Sequence, residues 1–233
     1  MSTDVVRLSP FDAYARWADT YDQTPNPLLW LEERIVEPLL PPLDGMLAID
    51  VGCGTGRWLG VLTRRGAARC VGLDLSPAML GRAGQKPSLR GRLVQTDCTS
   101  LPLGDAAAGF AICSFGLGYM SLEAAARELA RVVRDCGHVV LTDLHPSARA
   151  RGWKRRFRHD GVVIEVSAFH YPLGRILREF AAAGFETETL VEPGFGESER
   201  PAFERCGKGQ LFRESAGQAA IFVCRFRRRS GRV

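Results

Sequence analysis

The chain has 233 residues, 45% of them hydrophobic and 24% charged, with a formal net charge of +5 and a pI near 9.0. That length and apolar content suit one large α/β core. No run of roughly 18 apolar residues occurs, and Met1-Ser2-Thr3-Asp4 is not a charged start followed by an apolar stretch, so neither a spanning helix nor a secretory leader is expected. The seven cysteines are odd in number, irregularly spaced and without a C-x-x-C pair. They read as reduced, mostly buried thiols of a cytoplasmic protein, with no metal-ligand set among them.

Residues 11–22 read as a helix with Tyr14, Trp17 and Tyr21 on one face, spaced by three and four. Such a face packs either on a sheet or, as a lid, over a bound ligand. Pro25-Asn26-Pro27 breaks the chain, and a second helix is expected over 28–40. Next comes Leu47-Ala48-Ile49-Asp50-Val51-Gly52-Cys53-Gly54-Thr55-Gly56, a buried strand ending in a turn with three alternate glycines. Glycine lets the backbone turn sharply and approach a ligand where a Cβ would clash. The dinucleotide fingerprint needs its third glycine one residue later, where Arg57 stands and is expected to crowd a pyrophosphate. The turn therefore suits a ligand without a pyrophosphate better than NAD or FAD.

Two further apolar runs end in acids. Cys70-Val71-Gly72-Leu73-Asp74 puts a carboxylate at the tip of a neighbouring parallel strand, where it can accept from two vicinal ribose hydroxyls. Ser76-Pro77 then caps a helix, proline taking the first position, where its missing N–H costs nothing. Gly91-Arg92-Leu93-Val94-Gln95-Thr96-Asp97-Cys98 repeats the strand-then-acid pattern, and Phe110-Ala111-Ile112-Cys113-Ser114 is a fourth strand before a helix over 122–133. Residues 138–144 form a fifth strand. Residues 157–166 read as a hairpin with an Asp160-Gly161 turn. A helix over 172–183, a strand over 184–191, an irregular stretch over 193–217 and a closing antiparallel strand over 219–227 complete the chain.

Over residues 12–227 this pattern resembles the class I S-adenosylmethionine-dependent methyltransferases. Asp50-Val51-Gly52-Cys53-Gly54-Thr55-Gly56 matches their first motif, Asp74 their ribose-binding acid, Leu75 and Met79 their apolar cofactor contacts, and Asp97-Cys98 their adenine contact. On that resemblance the cofactor set is Tyr21, Asp50, Gly52, Cys53, Gly54, Thr55, Gly56, Asp74, Leu75, Met79, Asp97, Cys98 and Ser114. The implied fold is an α/β Rossmann-like seven-stranded sheet, mostly parallel with an antiparallel last strand. Helices cover both faces, with an N-terminal helical lid and a β-hairpin cap after the fifth strand. One domain is expected: lid 1–44, cofactor core 45–145, cap 146–171 and the rest of the sheet 172–233. Two positions depart from the family: Gly109-Phe110 lacks the usual acid, and Asp135-Cys136-Gly137-His138 replaces a proline-glycine-glycine turn.

The implied activity is methyl transfer from S-adenosylmethionine to an O- or N-nucleophile of a small molecule. Methyl transfer to a hydroxyl would call on a general base, and histidine suits neutral pH. His145, after the fifth strand, and His170, after the hairpin, are the candidates. A carboxylate acceptor needs no base. Tyr14 and Trp17 on one side, and Arg151 and Arg155 of the arginine-rich cap on the other, are the substrate candidates, the arginines suiting an anionic acceptor. Two other readings stay open: an RNA or protein methyltransferase, and a cofactor-binding protein that transfers no methyl. Ser114-Phe115-Gly116-Leu117 in place of an N-P-P-Y-type tetrapeptide argues against base-amine methylation. The absence of an aromatic-interleaved basic stripe makes nucleic acid an unexpected partner.

Overall fold

The computed structural model of the chain describes residues 5–231. In chain order the elements are β1 (Val5–Leu8), α1 (Pro10–Trp17), α2 (Pro27–Val36), β2 (Leu47–Val51), α3 (Arg57–Arg64), β3 (Arg69–Asp74), α4 (Pro77–Gly84), β4 (Leu93–Gln95), β5 (Ala108–Ser114), α5 (Leu122–Val132), β6 (Val133–Leu144), α6 (Pro146–Ala150), β7 (Arg156–His159), β8 (Val162–Val166), α7 (Leu173–Ala182), β9 (Phe185–Val191), α8 (Arg200–Arg205), α9 (Gly209–Ser215) and β10 (Ile221–Arg228).

Helix starts follow local chemistry. The side chains of Ser9, Asn26, Ser76 and Ser121 accept from the backbone N–H groups of Asp12, Leu28, Met79 and Ala124, and proline opens α1, α2 and α4. The seven-stranded sheet runs β4-β3-β2-β5-β6-β10-β9. Strands β4 to β6 pair in parallel, whereas β10 is antiparallel to both β6 and β9. The order reverses at β2, so a crevice opens beyond the carboxyl ends of β2, β3 and β5.

Alternation along the strands feeds two cores. Phe110 and Ile112 of β5 join Leu31, Trp58, Leu62 and Phe203 on one face, and Ala111 and Cys113 join Leu129, Ile176, Phe180 and Phe226 on the other. A third cluster, Ala13, Trp17, Phe157, Ile164 and Val166, joins α1 to the hairpin, with the Trp17 and Phe157 rings stacked at 4.4 Å.

The hairpin turns at Asp160 (φ 48°) and Gly161 (φ 78°), the double left-handed conformation that an Asp-Gly pair favours. Three features differ from expectation. The first helix stops at Trp17, and a 3-10 turn over Tyr21–Gln23 follows. That turn carries Asp22 to the Thr55 hydroxyl (2.5 Å) and Lys86 Nζ (2.7 Å). Residues 193–217 contain two short helices, α8 and α9, whose Phe203 and Phe212 pack into the core. Finally, β1 pairs in parallel with β8 to make a three-stranded sheet with the hairpin, a contact across more than 150 residues.

Candidate functional site

The glycine turn is built by its neighbours. Gly52 (φ 75°), Gly54 (φ 54°) and Gly56 (φ 81°) are all left-handed, where side chains are strained. A Cβ at Gly56 would come within 2.4 Å of Leu89, and one at Gly54 within 3.2 Å of Met79. Gly52 N and Cys53 N donate to Leu73 O at 2.7 and 3.0 Å, and Gly54 N donates to Asp74 Oδ2 at 2.7 Å. The end of β3 thus holds the loop that follows β2.

Asp50, the last acid of β2, is 1% exposed, and its Oδ1 has no hydrogen-bond partner among the described residues. Burial, more than the neighbouring Asp74 and Glu32 carboxylates and against the pull of Arg57, pushes its carboxyl up to about 8. Arg57 does not crowd the turn as expected from the sequence. Its guanidinium turns back to the fully buried Glu32 and to Glu33, and donates to Ser114 Oγ at 3.2 Å. Trp58 and Thr142 also donate to Glu32, giving that acid the partners that burial demands.

A cavity of about 250 Å³ opens over the turn. Of the expected cofactor residues, Tyr21, Gly52, Gly54, Asp74, Leu75, Met79, Asp97, Cys98 and Ser114 line it. Asp50, Cys53, Thr55 and Gly56 are not among the residues that line it. Asp74 spends one acceptor site of each oxygen on Gly54 N and Ser76 N, leaving others facing the cavity. Asp97 turns Oδ1 to Thr99 N and Oγ1, which leaves Oδ2 free of those bonds. Cys98 is buried, and burial pushes its thiol up to about 12.

A second cavity, of about 450 Å³, shares Tyr21 and Phe115 with the first as lining residues. Of the substrate candidates, Trp17, Arg151 and Arg155 line the larger one and Tyr14 lines the smaller. Phe115 itself is left-handed (φ 52°), a strained setting for a bulky residue and one that clusters at functional sites. Arg155 is committed to an internal cluster. It donates to the Tyr119 hydroxyl and, at 2.8 Å, to Phe115 O, and lies 3.6 Å from Asp143, while the Tyr14 and Tyr119 hydroxyls are 3.0 Å apart.

The structure does not bring His145 to either cavity. Its Nδ1 accepts from Ser147 N as the cap of α6, and its Nε2 lies 2.6 Å from Glu192. His170 lines a third, smaller cavity of about 170 Å³ beside Tyr119 and Arg155, with its Nδ1 taken by Arg149. Neither of the two larger cavities is lined by a histidine. Among the described residues no group of three or more His, Cys, Asp or Glu is placed to hold a metal ion, and no helix is long and apolar enough to cross a membrane.

Sequence reasoning did not find Phe115, Tyr119, Glu32 or Lys208. Only Phe115 had a signal, its place at the end of β5 beside the turn. The others depend on which distant segments meet.

A doubly wound sheet with a glycine turn and acids at successive strand ends defines the class I S-adenosylmethionine-dependent methyltransferase fold. Residues 49–141 match the family model described as a methyltransferase domain. The chain is 27% identical over 223 residues to an uncharacterized methyltransferase of Emericella nidulans, covering 78% of each. It is 29% identical over 147 residues to the malonyl-[acyl-carrier protein] O-methyltransferase of Pectobacterium atrosepticum, covering 61% of this chain and 57% of that protein. An S-adenosylmethionine-dependent methyltransferase from Mesorhizobium loti superposes with a TM-score of 0.67 at 22% identity, over 84% of this chain and 97% of that one. Residues 49–141 thus form a methyltransferase domain, on the fold of S-adenosylmethionine-dependent methyltransferases.

Proposed function

We propose that the chain methylates a small anionic molecule, with the cofactor in the cavity over the glycine turn and the acceptor in the larger cavity beside it. The observation that carries this reading is that the two cavities share Tyr21 and Phe115 in their walls, with cations lining the larger one. When bound, S-adenosylmethionine supplies a sulfonium-activated methyl, which an acceptor lone pair takes up as the sulfur–carbon bond pair returns to sulfur. The protein's task is then to align the two molecules and exclude water.

In this reading Asp74 accepts from the ribose hydroxyls with its free acceptor sites. Asp97 Oδ2 and the Cys98 N–H serve the adenine edge, and Leu75 and Met79 cover its faces. The glycines leave room for the methionine end, and the unpaired Asp50 Oδ1 suits a cationic amino group there. Tyr14, Trp17 and Tyr21 keep water from the junction. One named relative is an O-methyltransferase of malonyl-[acyl-carrier protein], and an acidic oxygen acceptor of that kind would need no histidine base. The chain works as one unit in the cytoplasm: lid 1–44, core 45–145, cap 146–171 and the remaining sheet 172–233. Five of its seven free thiols are buried, which suits a reducing compartment.

The test is production of S-adenosylhomocysteine against pools of small carboxylic and phosphorylated metabolites, with product masses read in parallel against RNA and protein pools. A mass gain of one methyl in an anionic small molecule is expected. Methylation of RNA or protein alone would overturn the acceptor assignment.

A further inference from the structure

We infer that Arg151 and Lys208 form the anion anchor of the larger cavity, and that the acceptor is an amphipathic acid. Its flat apolar body lies against Trp153, which the buried Phe195 and Phe203 back, and its anionic group is distinct from the atom that takes the methyl. This rests on the reading of that cavity as the acceptor site.

Five cationic side chains line the cavity, namely Arg151, Lys154, Arg155, Arg156 and Lys208, and no carboxylate does. Three of them already meet a carboxylate. Lys154 and Arg156 both donate to Glu165, at 3.2 Å and at 2.9 and 2.6 Å, and Arg155 is held by Tyr119, Phe115 O and Asp143. Arg151 meets only neutral acceptors, Ser147 Oγ at 3.0 Å and Ala219 O at 2.7 Å. Lys208 makes no side-chain hydrogen bond or ion pair among the described residues. Two positive charges therefore face the cavity without a counter-charge, which is the electrostatic condition for holding an anion.

The same cavity is lined by Trp153, whose ring is backed by buried aromatics. The Trp153 and Phe195 rings stack at 5.7 Å with 23° between their planes, and Phe203 meets Phe195 edge-on at 4.7 Å. Such a surface takes a planar apolar body. Neither Arg151 nor Lys208 lines the cofactor cavity, and the shared wall is Tyr21 and Phe115. An oxygen chelated by guanidinium and ammonium groups also gives its lone pairs to those donors and becomes a weaker nucleophile. Anchoring and methyl acceptance thus fall to different groups of one molecule.

The probes are 8-anilinonaphthalene-1-sulfonate, an aromatic anion, and N-phenyl-1-naphthylamine, its neutral counterpart. Both are titrated by fluorescence into the full chain saturated with S-adenosylhomocysteine, so that the cofactor cavity is filled. Arg151→Ala with Lys208→Ala is expected to weaken the sulfonate dye about tenfold or more and the neutral dye less than about twofold. Both residues are exposed, so the fold is expected to survive, and Arg156→Ala serves as the control cation that already meets Glu165. Equal loss of both dyes, an unchanged sulfonate affinity, an equal effect of Arg156→Ala, or no binding of either dye to the wild-type protein would each overturn the assignment. Calorimetry of S-adenosylhomocysteine on the same samples separates the two levels. Failure to bind it would remove the cofactor reading, whereas intact binding with a failed dye result would remove only the anchor.

Discussion

The carboxylate of Asp74 accepts the backbone N–H of Gly54 at 2.7 Å, so the acid ending β3 also holds the glycine turn that follows β2. Its other oxygen accepts from Ser76 N at 2.8 Å, at the start of α4. One side chain therefore fixes both walls of the cavity before any ligand contacts it. Asp74→Ala is expected to weaken S-adenosylhomocysteine binding by about 2–4 kcal/mol, from lost charge-assisted bonds and a loosened turn. Calorimetry reads the affinity, and an undiminished value would take Asp74 out of the cofactor site.

Asp50 titrates far above the ordinary carboxylate range because it is buried, its carboxyl being pushed up to about 8. At pH 7 the empty site therefore holds it mostly protonated. Binding an ammonium group beside it would favour the carboxylate, so cofactor binding at pH 7 should release up to one proton. Calorimetry in buffers of different ionisation enthalpy counts that proton. The release should vanish in Asp50→Asn, and an unchanged proton count there would show that Asp50 does not face the cofactor's amino group.

Glu165 behaves in the opposite sense. Burial raises its pKa, but hydrogen bonds from Arg156, Lys154 and Arg7 outweigh burial and hold it down to about 2. A folded-state value below the unfolded one gives stability that is present above about pH 4.5 and is lost as pH falls toward 2. A tenfold difference in proton affinity between the folded and unfolded chain corresponds to about 1.4 kcal/mol. Acid melting curves of Glu165→Gln should lie below those of the wild type near neutral pH and converge with them near pH 2. Parallel curves over that range would contradict the assignment.

Trp17 joins α1 to the hairpin. It is 6% exposed and stacks on Phe157 at 4.4 Å, while also lining the larger cavity. Trp17→Ala is expected to cost about 3 kcal/mol of stability, the low end for a buried aromatic, because its cluster is small. Trp17→Phe should recover most of the stability and less of the turnover. Equal recovery of both would make Trp17 a packing residue only.

What the sequence alone determined is what neighbouring residues settle among themselves. Gly52, Gly54 and Gly56 announce left-handed backbone, Ser76-Pro77 a helix start, and Asp160-Gly161 a tight hairpin turn, because each depends on sterics and hydrogen bonds within a few residues. Acids at successive strand ends put Asp74 and Asp97 beside the cavity for the same reason, since strand and turn are contiguous in the chain. The tertiary structure alone decided how distant segments meet. Nothing near Val5–Leu8 specifies its pairing with β8, and nothing near Glu32 marks it as a buried partner of Arg57, Trp58 and Thr142. His145 follows a strand at the ligand edge of the sheet, yet its ring is spent on capping α6 and on Glu192. Arg151 and Arg155 look alike in a basic run, but Arg155 is locked to Tyr119 and Asp143 while Arg151 keeps an uncompensated charge. Local backbone preference is written residue by residue, whereas burial and charge compensation belong to pairs that only packing creates.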